Sequence, residues 1–239
     1  MQPTGDFGCA VAPRFIVGGR DEIGNAMHWE RDKSHSGRDK SGPYEIKGRY
    51  MPTPLQPVYI KLNADTTLRM ITEQDAQPLF ELIDQNRTHL RQWLPWLDTT
   101  RTVEDELAFI RNIQIQHREH RGFACAIWYK GQAAGTIGYH SIDWRNRKVE
   151  IGYWLGAQFQ GKGLMTKACQ AMVTYAFDQI KLNKVEIRCA VENTRSCAIP
   201  QRLGFTVEGI VRRGEWLYDH YVDLVLYGML AHHWQKQVP

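Results

Sequence analysis

Gln158-Phe159-Gln160-Gly161-Lys162-Gly163-Leu164 joins an apolar strand to a helix through two closely spaced glycines. Just before it, Val149-Glu-Ile-Gly-Tyr-Trp-Leu155 is rich in β-branched and aromatic residues and reads as a buried strand. After it, apolar residues at 164, 165, 168, 172, 176 and 180 recur with helical spacing. A glycine-rich turn that opens a helix presents unpaired N–H groups and the positive end of a helix dipole, which together attract phosphate. Lys162 sits inside the turn as a possible added charge. The spacing is neither that of a Walker A loop, G-x-x-x-x-G-K-[ST], nor that of the dinucleotide fingerprint G-x-G-x-x-G.

The form Gln158-x-x-Gly161-x-Gly163 resembles the acetyl-CoA-binding motif of the GCN5-related N-acetyltransferases, the GNAT superfamily. A second block, Asn193-Thr-Arg-Ser196 followed by Leu203-Gly-Phe205-Thr-Val-Glu-Gly209, is similar to the N-x-x-S and LGF-x-x-EG segments of its RimJ/RimL branch. Two motifs in the right order are far more specific than either alone. The resemblance spans residues 66–234. It implies an α+β GNAT fold: a mixed, mostly antiparallel sheet, splayed at a parallel pair of strands at 147–155 and 184–191, with helices on both faces. It further implies an acetyl-CoA-dependent N-acetyltransferase, with coenzyme A held in the splay.

Composition agrees with a packed enzyme domain. The chain has 239 residues, 43% of them hydrophobic and 11% aromatic, and a mild net charge of +4. That charge gives no nucleic-acid signature, and no run approaches the ~18 apolar residues a membrane span needs. The five cysteines form no C-x-x-C pair and no metal-ligand spacing. Four of them, Cys125, Cys169, Cys189 and Cys197, lie in apolar strand or helix patterns and read as small core residues, which suits a reducing cytoplasm. No metal is expected.

Residues 1–50 stand apart. They hold eight of the chain's 20 glycines and show no apolar periodicity. Such a segment cannot bury enough surface to offset its ordering entropy. It reads as a disordered or irregular N-terminal extension, from an over-long start assignment or an expression leader, ahead of a GNAT domain at 51–239. Its acids, Asp6, Asp21, Glu22 and Glu30 among them, argue against a transit peptide. In the body, strand patterns fall near 66–71, 123–130, 134–142, 147–155, 184–191, 206–216 and 221–230, the last offering an edge for a possible homodimer. Thr72-x-x-Asp75 and Thr102-x-x-Asp105 resemble capping boxes for helices near 73–85 and 103–120. Pro200 falls inside the helix that Asn193 opens, so a kink or a short segment is expected there.

Acetyl transfer to an amine needs a coenzyme cradle, a deprotonated amine, oxyanion stabilisation and a proton for the leaving thiolate. The cradle and its flanks supply the cofactor-binding candidates Leu155, Gln158, Gln160, Gly161, Lys162, Gly163 and Leu164. By resemblance, Asn193 contacts the pantetheine arm and Ser196 protonates the departing sulfur; both also suit a plain helix start. Two carboxylates compete for the role of base. Glu215 matches the glutamate proposed in the RimL branch, and Glu150 lies on the strand where other GNAT enzymes place theirs. Glu215 reads equally as a surface acid paired with Arg212 or Arg213. Gly152 suits a bulge or a close ligand approach, and a bulge would change which face Glu150 occupies. Trp93-Leu-Pro-Trp96 resembles a loop on the acceptor side; its tryptophans either line the amine pocket or pack in the core. Cys197 beside Ser196 is expected to pack rather than carry an acetyl group, so transfer is direct. The resemblance favours a protein N-terminal amine as acceptor. A polyamine, antibiotic or other small amine is the enzymatic alternative, and a non-catalytic acyl-CoA-binding module the alternative of another class.

Overall fold

Lys130 and Gly131 both take left-handed backbone angles (φ 49° and 77°), the geometry that lets two residues close a hairpin whose strands twist correctly. That turn joins β3 (Phe123–Tyr129) to β4 (Gln132–Tyr139). The computed structural model describes residues 55–234, so the predicted extension over residues 1–50 lies outside the described residues. The remaining strands are β1 (Tyr59–Lys61), β2 (Thr66–Met70), β5 (Lys148–Leu155), β6 (Lys184–Ala190), β7 (Thr206–Leu217) and β8 (His220–Leu230). The helices are α1 (Ala76–Gln85), α2 (Arg87–Arg91), α3 (Val103–Arg118), α4 (Leu164–Asp178), α5 (Thr194–Arg202) and α6 (Ala231–Trp234).

All eight strands form one sheet in the order β1-β2-β3-β4-β5-β6-β8-β7. Every neighbouring pair is antiparallel except β5 and β6. Those two are parallel and paired only from Lys148 to Glu150 against Lys184 to Glu186. Beyond that point β5 stays with β4 out to Leu155, while β6 stays with β8 out to Ala190. The sheet therefore forks. Charge marks the fork: Glu186 takes Lys184 at 2.8 Å and Lys148 at 3.5 Å, and Glu150 takes Arg188 at 3.2 Å.

Helix α4 buries Leu164, Met165, Ala168, Cys169, Met172, Val173, Ala176 and Phe177, a stripe of helical spacing, and packs on β4, β5 and β6. The fully buried Tyr139 of β4 donates its hydroxyl to the Met172 carbonyl and so ties sheet to helix. Helices α1 and α3 pack on each other, α1 over β4 and α3 over β3. The capping box forms at α3, where Thr102 N–H donates to Asp105 at 2.9 Å and Thr102 Oγ1 accepts from Asp105 N–H at 3.3 Å. Cys125, Cys169, Cys189 and Cys197 are all buried and free. No described helix is long and apolar enough to cross a membrane.

Two expectations need correction. Strand β5 carries no bulge: its register with β4 is unbroken from Ile151 to Leu155, and the sheet's irregularities fall instead in the β3–β4 and β7–β8 pairs. Pro200 does not break α5, which is a single helix of nine residues ending at Arg202. The proline removes one helical bond, to the Ser196 carbonyl, and another donor supplies it. The short elements β1, α2 and α6 have no counterpart in the sequence reading, because three to five residues are too few to show a period.

Candidate active site

From the end of β5 the chain passes through Gly156 and a 3-10 turn at Ala157–Phe159, then Gly161 and Gly163, into α4. Both glycines are left-handed, with φ of 72° and 71°. A Cβ added at either would meet nothing within 4 Å. The backbone is thus bare toward open space, the condition for close approach of a ligand. Phe159 and Gln160 spend their N–H groups inside the turn, on the carbonyls of Gly156 and Ala157. The first bond of the α4 ladder is Lys167 N–H to the Gly163 carbonyl, 3.1 Å. Among the described residues, no acceptor engages the amides from Gly161 to Thr166, and Gly163 brings no side-chain cap. Six consecutive donors at a helix N-terminus suit a diphosphate.

The turn is braced from behind. Asn86 at the end of α1 accepts from Ala157 N–H at 2.9 Å, and Gly156 N–H reaches the Ala134 carbonyl at 2.9 Å. Gln160 bridges two helices, meeting His89 of α2 at 2.9 Å and Arg195 of α5 at 2.5 Å. The Lys162 ammonium turns back onto the Gln158 carbonyl at 2.9 Å. Gly161 and Gly163 line the larger cavity there, while Gln158 and Lys162 do not border it in this arrangement.

Two cavities flank the fork. One, of about 1130 Å³, is lined by Leu155, Gly161, Gly163, Leu164 and Asn193; the other, of about 530 Å³, by Trp96, His140, Glu150, Arg188 and Glu215. They meet at Trp93, Tyr153, Trp154, Asn193 and Ser196. The first has the room, the bare glycines and the unspent amides that a coenzyme A diphosphate and pantetheine arm require.

The second cavity holds the titratable groups. Burial, with the nearby Glu150 adding to it, pushes the Glu215 carboxyl up to about 7. Among the described residues Glu215 has no cationic partner, so the pairing with Arg212 or Arg213 that the sequence allowed does not form. Arg213 instead caps Asp223 with its backbone N–H and lies over the Tyr221 ring. Glu150 is also raised by burial, but Arg188 opposes the rise. His140, beside Glu150 at 3.6 Å, is pushed down to about 4 by burial and by Arg188, so it is neutral at physiological pH.

His140 also explains Gly152. A Cβ at Gly152 would stand 2.1 Å from His140 Nε2, so the glycine makes room for an imidazole where a bulge was one expectation, and it also lines the second cavity. Gly152→Ala is expected to displace that ring from Glu150 and to cost about 1–3 kcal/mol of stability by overpacking. Urea denaturation measures the cost, and an unchanged midpoint would show that the ring relaxes freely.

Asn193 caps α5, its Oδ1 accepting from Ser196 N–H at 3.1 Å. Ser196 Oγ lies 3.2 Å from both the Tyr153 hydroxyl and Cys189 Sγ. Tyr153 in turn donates to the Ser196 carbonyl at 3.2 Å, the acceptor whose helical donor Pro200 removes. Cys197 lines neither cavity; its thiol faces the Ala190 carbonyl at 3.6 Å. Trp96 is buried against Trp154, ring centroids 6.2 Å apart, while Trp93 is half-buried and borders both cavities. Tyr218 at the β7–β8 turn fixes this loop by donating to the Leu94 carbonyl.

Sequence reasoning left out Tyr153, Arg188, Cys189, His89 and Arg195, all of which border the cavities. Each is a strand or helix residue with no spacing signal. Only pairing across the fork reveals them.

Comparison with known proteins is consistent with this geometry. Residues 65–206 match the family model described as an acetyltransferase (GNAT) domain. The chain is 38% identical over 178 residues to the putative ribosomal N-acetyltransferase YdaF of Bacillus subtilis (strain 168), covering 74% of this chain and 97% of that protein. Among solved structures it resembles the microcin C7 self-immunity acetyltransferase MccE in complex with acetyl-CoA and AMP, at 32% identity and a TM-score of 0.70, over 74% of this chain and 98% of that one. It also resembles the ribosomal L7/L12 alpha-N-protein acetyltransferase RimL in complex with coenzyme A, at 27% identity and a TM-score of 0.70, over 72% and 98%.

Proposed function

The chain belongs to the GNAT acetyltransferases, and from that premise we propose that it moves the acetyl group of acetyl-CoA directly to the N-terminal α-amine of a protein. The observation that carries this reading is the meeting of two unlike cavities at Ser196, one with unspent amides and the other with a raised carboxyl at Glu215. The amides of Gly161 to Thr166 grip the diphosphate. Asn193, whose Oδ1 is spent on the helix cap, keeps its side-chain N–H₂ for the pantetheine arm. Acetyl-CoA supplies the activated thioester.

In this reading Glu215 takes a proton from the ammonium form of the acceptor. A carboxylate titrating near 7 is matched to that task better than an ordinary surface glutamate. Glu150, held by Arg188, is the weaker candidate and acts by raising Glu215. Ser196, at the junction, gives its proton to the departing sulfur. Trp93 and Trp96 wall the acceptor's path.

Among the carboxylates that line the second cavity, Glu186 is compensated by Lys184 and Lys148 and Glu150 by Arg188, while Asp143 is bonded to Asn146 and Glu215 has no ion-pair partner among the described residues, which leaves it open to an ammonium. An α-amine, with pKa near 8, yields its proton more readily than a lysine near ~10.4. The test is thiol release from acetyl-CoA across N-terminal peptides, polyamines, aminoglycosides and aminoacyl nucleotides. Turnover at least tenfold faster with peptides is expected. A preference for any small amine would overturn the acceptor, and coenzyme binding without turnover across the panel would identify a binding module instead.

A further inference from the structure

Pro200 sits seventh in α5 and cannot donate to the carbonyl four residues earlier, that of Ser196. A carbonyl stripped of its helical donor needs another. It finds the Tyr153 hydroxyl, which crosses from β5 to donate at 3.2 Å. Having spent its one proton there, the Tyr153 oxygen is left as an acceptor, and Ser196 Oγ lies 3.2 Å from it. Tyr153 is thus clamped to both polar ends of one residue, at the place where the cavities meet.

We propose that Tyr153 is a positioning residue for the leaving-group proton, its hydroxyl aimed by the carbonyl that Pro200 vacates and holding the Ser196 hydroxyl at the cavity junction. The inference rests on the reading of Ser196 as the proton donor. In that step the amine nitrogen bonds to the acetyl carbon, the C–S bond breaks with its electron pair on sulfur, and sulfur takes the proton of Ser196. Ser196 is restored by the second proton that nitrogen sheds as the amide forms, the first having gone to Glu215. Tyr153 keeps its own proton throughout. That proton is engaged by the Ser196 carbonyl, so Tyr153 orients the donor and does not act as the acid itself.

The experiment combines Tyr153→Phe, Pro200→Ala and Ser196→Ala. Tyr153→Phe is expected to lower kcat about ten- to a hundredfold, with acetyl-CoA affinity by calorimetry unchanged within about twofold. Pro200→Ala restores a competing N–H and is expected to lower kcat in the same sense by a smaller factor. The two changes together should cost no more than Tyr153→Phe alone, because they remove one linkage. A crystal structure of the uncomplexed Tyr153→Phe protein should show the Ser196 hydroxyl moved off the cavity junction toward Cys189 Sγ, the side-chain partner it keeps. Wild-type kcat in Tyr153→Phe, or losses that multiply in the double variant, would overturn the positioning role. Ser196→Ala separates the two levels: full turnover there would remove the donor assignment itself. A slow Ser196→Ala beside an undiminished Tyr153→Phe would remove only the role of Tyr153.

Discussion

Glu215→Gln is expected to lower kcat/KM for an N-terminal peptide about a hundredfold at pH 6–7, the size of effect typical of a lost general base. The deficit should shrink above pH 8, where an α-amine with pKa near 8 loses its proton unaided. It should not deepen below neutrality, because a wild-type carboxyl titrating near 7 is itself mostly protonated there. A profile of kcat/KM against pH from 5.5 to 9.5 checks this. Equal deficits at every pH would move the base elsewhere, to Glu150 first.

The same substitution is expected to act on stability with the opposite sign. A carboxyl raised from 4.5 to about 7 on folding favours the native state below 4.5, and that advantage is lost as pH rises through 7. At pH 8 the ionised Glu215 costs up to about 3 kcal/mol, because each pKa unit corresponds to about 1.36 kcal/mol. Glutamine carries no such cost. Denaturation should therefore find Glu215→Gln more stable than wild type at pH 8 and little different at pH 4.5. Slower catalysis with greater stability at alkaline pH is the pattern of a group kept for chemistry.

Gly161→Val is expected to weaken acetyl-CoA binding at least a hundredfold. Two effects contribute. At φ 72° a β-branched residue is strained by about 1–3 kcal/mol, and the new Cβ projects into the open space above the unspent amides. Gly131 provides the control, since its φ is 77° and a Cβ there also meets nothing within 4 Å, yet it belongs to the β3–β4 hairpin. Gly131→Val should lose comparable stability and keep coenzyme affinity in calorimetry. If both variants bind acetyl-CoA alike, the cradle lies elsewhere.

How much of this was legible in the chain depends on how local the cause is. The β-branched and aromatic run over 149–155 and the helical spacing over 164–180, with glycines between, determined the strand–turn–helix unit and the bare backbone at its centre. The capping residues Thr102 and Asn193 announced α3 and α5, because a cap acts within three residues. The order of motifs, by resemblance, gave the family and the fork in the sheet. None of these needed a contact between distant segments.

Other features lay beyond the sequence because their causes are non-local. The reach of Tyr153 to Ser196 crosses from strand to helix, and it supplies the carbonyl bond that Pro200 removes inside an unbroken α5. His140 filling the space above Gly152 gave that glycine a packing role that no local pattern announces. The proposed preference for Glu215 over Glu150 rests on the arginine from β6 that pairs with Glu150. A chain determines which residues it can offer and the local shapes they take. Burial and charge pairing, which set protonation, exist only after strands far apart in sequence are brought side by side, and so the tertiary structure alone decided them.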